Sequence, residues 1–322
     1  MTMRRRDVLR LSFAMFPTLL AAQQPRVYRI GWLSASTVDG PPWEAFIDGM
    51  RERGWVEGQN VAYERLTSGG RNDRFPALVG ELVRRNVDVI VAAGTPPAVA
   101  ARDGTTTVPI VFYFVGDPVG SGLVDSLARP GRNLTGTGGL AAGLYVKQLE
   151  MLKEIVPKAA RIGMFVNNDF PLHTAVLPGI ESSARRIGVT LRPVQVKAPD
   201  EIDRAFAAIA RDNVDALFIL GQPFLAAERV RLAKLAIDQR LPAISGFDIA
   251  TEAGILASYS PRLVDDLRRL PHYVDRILKG AKPAELPVEQ PTRFYLAINL
   301  QTAAAIGLAL PPTIVARADQ LF

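Results

Sequence analysis

Cysteine is absent from the 322 residues, which excludes disulfides, thiolate metal sites and a lipid-modified N-terminal cysteine. Histidine is nearly absent too. His173 follows Pro171 in a turn and His272 follows Pro271 at a helix start; both read as surface residues, and neither has a nucleophile at a recognisable spacing. With no cysteine and no clustered histidine, a transition-metal site has no ligand set. There is no G-x-x-x-x-G-K-[ST] phosphate loop and no G-x-S-x-G elbow. Gly136, Gly138 and Gly139 lack G-x-G-x-x-G spacing and read as a flexible crossover. Asp265 and Asp266, next to Arg268 and Arg269, read as a solvated helix face. No run of lysine and arginine interleaved with aromatics marks a nucleic-acid footprint. The sequence therefore leaves no trace of catalysis and calls for no cofactor.

What is present is an ordinary globular composition, 48% hydrophobic and 22% charged, in a chain long enough for two lobes. Arg4, Arg5, Arg6 and Arg10 precede an apolar run at 11–22 that ends in small residues, the pattern of an export signal. That run, interrupted by Pro17, is shorter than the about 20 residues needed to span a bilayer. Arg5-Arg6-Asp7-Val8-Leu9 resembles the twin-arginine address. Cleavage is expected after Ala22. Residues 1–22 carry four Arg and one Asp, so their removal lowers the formal charge from +6 to +3, and the mature protein is expected in the periplasm as a soluble monomer.

From residue 25 onward, short apolar runs alternate with amphipathic segments, the pattern of βα units and a parallel sheet. Strands are expected at 27–33, 60–65, 88–92 and 109–113, with loops across 116–139. The pattern then restarts. Arg29-Ile30-Gly31 recurs as Arg161-Ile162-Gly163, and Asn86-Val87-Asp88 with Gly94 and Pro96 recurs as Asn213-Val214-Asp215 with Gly221 and Pro223. Val108-Pro109-Ile110 is echoed by Leu241-Pro242-Ala243. Matches in one order read as two lobes of the same topology, although βα units in general favour Asp before a strand and Gly after it.

The expected fold is α/β, with two doubly wound parallel-sheet lobes, a hinge and an inter-lobe cleft. The lobes are expected at 23–140 with about 253–282, and at 141–252 with about 283–322, crossing near 136–143, 247–254 and 281–291. Ligands bind at the carboxyl ends of such sheets, and hinged lobes close around them.

Small and polar residues just after strands are the candidates for that cleft. Ser34 and Ser36 follow the first strand. Thr95 either caps the helix that starts near Pro96 or offers its hydroxyl and the helix start to a carboxylate. Asp117 either meets an ammonium group or caps the turn before Pro118. In the second half, Asn167, Asn168, Asp169, Gln222 and Asp248 hold the matching positions. Tyr113, Phe224, Phe247 and Tyr259 supply either a pocket wall or core.

Several longer motifs carry a family likeness. Gly54-Trp55-Val56-Glu57-Gly58-Gln59-Asn60, Gly116-Asp117-Pro118-Val119 with Arg129-Pro130-Gly131, and Tyr273-Val274-Asp275-Arg276-Ile277-Leu278-Lys279-Gly280 resemble the ABC transporter substrate-binding proteins of the tryptophan/tyrosine type. The resemblance runs from about Arg29 to the end. It implies a type I periplasmic-binding fold, no enzymatic activity, a small ligand such as an amino acid or related carboxylate, and an ABC permease with its ATPase as partners. Gly254-Ile255-Leu256-Ala257-Ser258-Tyr259-Ser260 departs from the family's Gly-Gly-Leu-x-Ser-Tyr-Gly, which would reshape the pocket if that strand borders it. A sensor of the same fold acting on a membrane partner, or an α/β enzyme, are the alternatives.

Overall fold

The computed structural model describes residues 26–37, 39–139 and 143–322; the expected export segment and its cleavage point lie outside the described residues. Five strands form the first sheet: β1 (Tyr28–Ser34), β2 (Val61–Thr67), β3 (Val89–Ala93), β4 (Ile110–Val115) and β5 (Leu134–Gly138). Their order is β2-β1-β3-β4-β5, all parallel. Helices α1 (Pro41–Glu52), α2 (Phe75–Arg84) and α3 (Thr95–Gly104) connect them, and each has proline in its first turn, where the missing N–H has no intrahelical acceptor anyway. β3 and β4 read Val-Ile-Val-Ala-Ala and Ile-Val-Phe-Tyr-Phe-Val, continuous apolar runs suited to strands covered on both faces.

The second half repeats the plan with α4 (Gly143–Ile155), β6 (Arg161–Val166), α5 (Pro171–Arg186), β7 (Thr190–Gln195), α6 (Ile202–Arg211), β8 (Ala216–Ile219), α7 (Pro223–Ala227), α8 (Arg229–Asp238), β9 (Ala243–Ser245), α9 (Asp248–Glu252) and β10 (Ala257–Ser260). The order β7-β6-β8-β9-β10 matches the first sheet strand for strand. After α10 (Leu263–Leu278) the chain returns as β11 (Tyr295–Ile298), α11 (Leu300–Ala305), α12 (Pro312–Arg317) and β12 (Gln320–Leu321). β11 runs antiparallel to β10, and β12 parallel to β11.

The recurring residues do the same work twice. The Asp88 carboxylate accepts the backbone N–H of Arg29 at 2.7 Å, and that of Asp215 accepts the N–H of Arg161 at 2.7 Å. Asn86 and Asn213 both turn into the strand at positive φ, 52° and 48°, a region that Asn tolerates better than most residues. Pro109 and Pro242 are matched in the same way: the Pro109 carbonyl accepts from Ile90 N at 2.9 Å and the Pro242 carbonyl from Leu217 N at 2.8 Å. The motif echo is thus an echo of backbone anchoring.

The chain crosses between lobes after β5, between β10 and α10, and between Glu289 and β11. Two of these points differ from expectation. β10, expected in the first lobe, pairs with β9 and β11 as the fifth strand of the second sheet, so the crossing near 253 moves past Ser260. Helix α10 does pack on the first lobe, where a Cβ on Gly49 of α1 would come within 2.8 Å of Pro271. Residues 283–289, expected in the second lobe, stay with the first: Glu289 N donates to Gly136 O and Gly138 N to Glu289 O, extending the sheet beside β5. β5 itself lies in a stretch that reads as loop. A Cβ on Gly136, at φ 150°, would sit 1.8 Å from the Phe112 carbonyl oxygen, so glycine there lets the edge strand approach. Pro271 lies inside α10, so His272 is mid-helix and exposed rather than at a helix start.

Candidate functional site

A cleft of about 1000 Å³, counting its open mouth, lies where the carboxyl ends of the two sheets meet. From the first lobe it is lined by residues at or just past the ends of β1 (Ser34, Ser36), β3 (Gly94, Thr95) and β4 (Tyr113, Phe114, Gly116). From the second lobe it receives Tyr145 of α4, Phe170 and Leu172 at the start of α5, Gly221 and Pro223 after β8, Arg229, and Phe247 after β9. The lobes are drawn together across it. The rings of Phe114 and Phe247 stack with centroids 5.3 Å apart and planes at 24°. A Cβ on Gly116 would lie 2.1 Å from Leu172, and one on Gly94 2.8 Å from Pro223, so both glycines permit contact between lobes. Phe114 holds φ at 56°, a strained backbone for a bulky residue that costs roughly 1–3 kcal/mol and turns its ring out of the strand.

The polar groups of the cleft are mostly hydroxyls, which can donate or accept, beside one donor-only cation, Arg229. Burial pushes the phenols of Tyr113 and Tyr145 well above their ordinary range, and the nearby Asp266 carboxyl adds to the effect at Tyr113. Both stay protonated. Among the described residues neither phenol has a hydrogen-bond partner, nor does the Thr95 hydroxyl. Arg229 makes no ion pair among the described residues; its guanidinium donates to the Ala226 carbonyl at 3.3 Å. Asp39 is the acidic lining residue, exposed at the mouth and paired with Arg65 at 3.0 Å.

Of the residues expected from sequence, Ser34, Ser36, Thr95, Tyr113 and Phe247 line this cleft. Thr95 is not the helix cap: Gly94, at φ 91°, holds that position, and Thr95 begins the first turn. Asp117 lies outside the lining. Its Oδ1 accepts the Gly120 N–H at 2.8 Å, which makes it the cap of its own turn. Asn168 is exposed, with its N–H on Gln195 Oε1 at 3.0 Å. Asp169 pairs with Lys197 at 2.6 Å. Gln222 is buried behind the cleft and accepts from Asn167 Nδ2 at 3.1 Å. Tyr259 packs on Phe294 at 6.0 Å, and its carbonyl accepts from Gln148 at 2.7 Å. Phe224 is core. The strand carrying the departure at 254–260 therefore contributes no lining residue.

Two buried titratable features flank the cleft. His173, expected at the surface, is fully buried; Nδ1 accepts the Asn167 N–H at 3.0 Å, and Nε2 lies 3.3 Å from the Gly221 carbonyl. Burial pulls its pKa down to about 4 against the opposing pull of that carbonyl, so the ring is neutral and ties the β6 loop to the β8 loop. At the hinge, Asp248 is half-buried with Oδ1 enclosed and unpartnered, while Oδ2 accepts the Leu263 N–H at 3.2 Å. Desolvation raises it to about 6, against the partial relief of that N–H. Asp266, expected on a solvated face, is buried instead and raised to about 7 by desolvation, with the carboxyls of Asp248 and Asp265 adding to the rise.

The residues that sequence reasoning passes over are Phe114, Tyr145, Phe170, Leu172 and Arg229. Among the described residues no cluster of His, Cys, Asp and Glu could hold a metal ion, and no helix is long and apolar enough to cross a membrane.

Comparison with known proteins bears on this geometry. The model of a family described as ABC transporter substrate binding protein matches residues 40–322. A tyrosine-binding protein of Clostridioides difficile is 23% identical over 265 residues, 82% of this chain and 76% of its own. A conserved domain protein of Vibrio cholerae superposes with a TM-score of 0.83 at 27% identity, covering 92% of this chain and 100% of that one. The ABC domain from Streptococcus pneumoniae in complex with L-Trp superposes with a TM-score of 0.81 at 24% identity, also covering 92% and 100%.

Proposed function

The chain belongs to the ABC transporter substrate binding protein family, and on that premise we propose that it is the extracytoplasmic receptor of an ABC importer. It holds a small organic ligand, an amino acid or a related carboxylate, in the inter-lobe cleft and presents it to a membrane permease and its ATPase. The observation that carries this reading is a cleft walled by aromatic rings from both lobes, with unpartnered donors converging on it. Such a pocket buries an apolar body and orients one polar head. The tyrosine-binding relative and the L-Trp complex support a ligand of this size and kind. The arginine-rich start and apolar run at residues 1–22 support export, with the mature chain working as a periplasmic monomer and no catalytic step.

A thermal-shift screen over amino acids and small carboxylates tests the reading. A ligand at a hundred times its dissociation constant adds about 2.7 kcal/mol of stability, a shift of several degrees. Stabilisation by a member of either class is expected; melting that no compound moves would contradict it.

A further inference from the structure

The cleft wall gathers helix amino ends and a cation, and its acidic lining residue, Asp39, stands exposed at the mouth. Helices α1, α3, α5 and α8, each of ten residues or more, begin at its wall, where Pro42, Thr95, Leu172 and Arg229 line it. The amino ends of helices carry partial positive charge. Arg229 adds a full charge that no carboxylate neutralises among the described residues. The phenols of Tyr113 and Tyr145 and the hydroxyl of Thr95 add unpartnered hydroxyls that can donate to a carboxylate held by Arg229.

The acids that could meet an ammonium group are committed elsewhere. Asp117 caps a turn and Asp169 pairs with Lys197, while Asp248 and Asp266 lie behind the wall rather than in it, Asp248 with Oδ2 on the N–H of the lining residue Leu263 and Oδ1 enclosed away from the cleft surface. Asp39 stands exposed at the mouth on Arg65. The undescribed positions after residue 25 are Val38, Leu140, Ala141 and Ala142, none of them acidic. A zwitterion would leave its ammonium group buried against Arg229 with no counter-charge, and an unpaired buried charge is strongly disfavoured.

We infer that the ligand is an aromatic carboxylate without an ammonium group, its carboxylate on Arg229 with the Thr95 and tyrosine hydroxyls, and its ring among Phe114, Phe170 and Phe247. This rests on the cleft reading above and narrows it. Calorimetric titration of matched pairs tests it: 3-phenylpropanoate against L-phenylalanine, and indole-3-propanoate against L-tryptophan. The acid of each pair is expected to bind at least about tenfold tighter than its amino acid, and Arg229→Gln to weaken acid binding by about ten- to a hundredfold. The same substitution should leave binding of the neutral 3-phenylpropanamide within about twofold, which a merely misfolded variant would not. An amino acid that binds as tightly as its acid overturns the inference and leaves the cleft reading standing. Failure of every acid and every amino acid to bind removes both.

Discussion

Phe114 and Phe247 stack across the cleft, one from each lobe, with ring centroids 5.3 Å apart. The strained backbone at Phe114 has a counterpart in this contact, since the positive φ is what turns that ring away from its strand and towards the opposite lobe. An aromatic pair of this kind contributes about 0.5–1.5 kcal/mol beyond its area, and it does so only while the lobes are together.

Phe247→Ala is therefore expected to favour the separated lobes by about two- to tenfold and to weaken ligand binding by at least as much. The melting temperature of the unliganded protein should change little, because Phe247 sits on the cleft wall rather than in either lobe's core. Titration calorimetry with melting curves of the variant checks this. Wild-type affinity in Phe247→Ala would mean that the stack does not support closure.

The hinge carboxyls make stability depend on pH in an unusual direction. Asp248 and Asp266 have folded values of about 6 and about 7, above the about 4 of an unfolded carboxyl, so the folded state binds more protons across that window. Their contribution is full at low pH and is lost as pH rises to about 7. His173 acts oppositely: its folded value of about 4 lies below the about 6.5 of the unfolded ring, so its contribution is lost as pH falls through that range. Asp266→Asn removes one hinge carboxyl that prefers to be neutral. Melting curves should show the variant more stable than wild type at pH 8, with the gap narrowing as pH falls and closing below about pH 4; equal melting temperatures at pH 8 would refute the assignment.

Asp117 is expected to matter for folding and not for ligand. Loss of its bond to Gly120 N should cost about 1 kcal/mol of stability and leave affinity unchanged. Asp117→Ala examined by thermal melts beside calorimetric titration separates the roles, and reduced affinity at unchanged melting temperature would return Asp117 to the site.

The contrast between legible and illegible parts has a physical basis. The two sheets are readable because Asp88 and Asp215 anchor the strand starts at Arg29 and Arg161, which demands the same residue type at the same spacing in both lobes. Strand β10 is not readable as part of the second sheet, since what assigns it there is pairing with β9 and with β11, nearly forty residues later in the chain. Post-strand position names the right loops around Ser34, Thr95 and Phe247, but it does not say which way a side chain turns. Asp117 and Gln222 sit on such loops and face their own lobes. Phe114 falls just past the strand expected at 109–113, where nothing in the sequence reveals its positive φ, and Arg229 belongs to no motif and joins the lining only because α8 starts at the cleft.

Closure of the two lobes on a small ligand is the central claim, and small-angle scattering with and without saturating ligand tests it most directly. The close approaches of Gly94 to Pro223 and Gly116 to Leu172 describe lobes already drawn together, so ligand should shift the free protein towards this form. A smaller radius of gyration on ligand addition is the predicted result. An unchanged scattering profile at a concentration where calorimetry reports full occupancy would contradict the account.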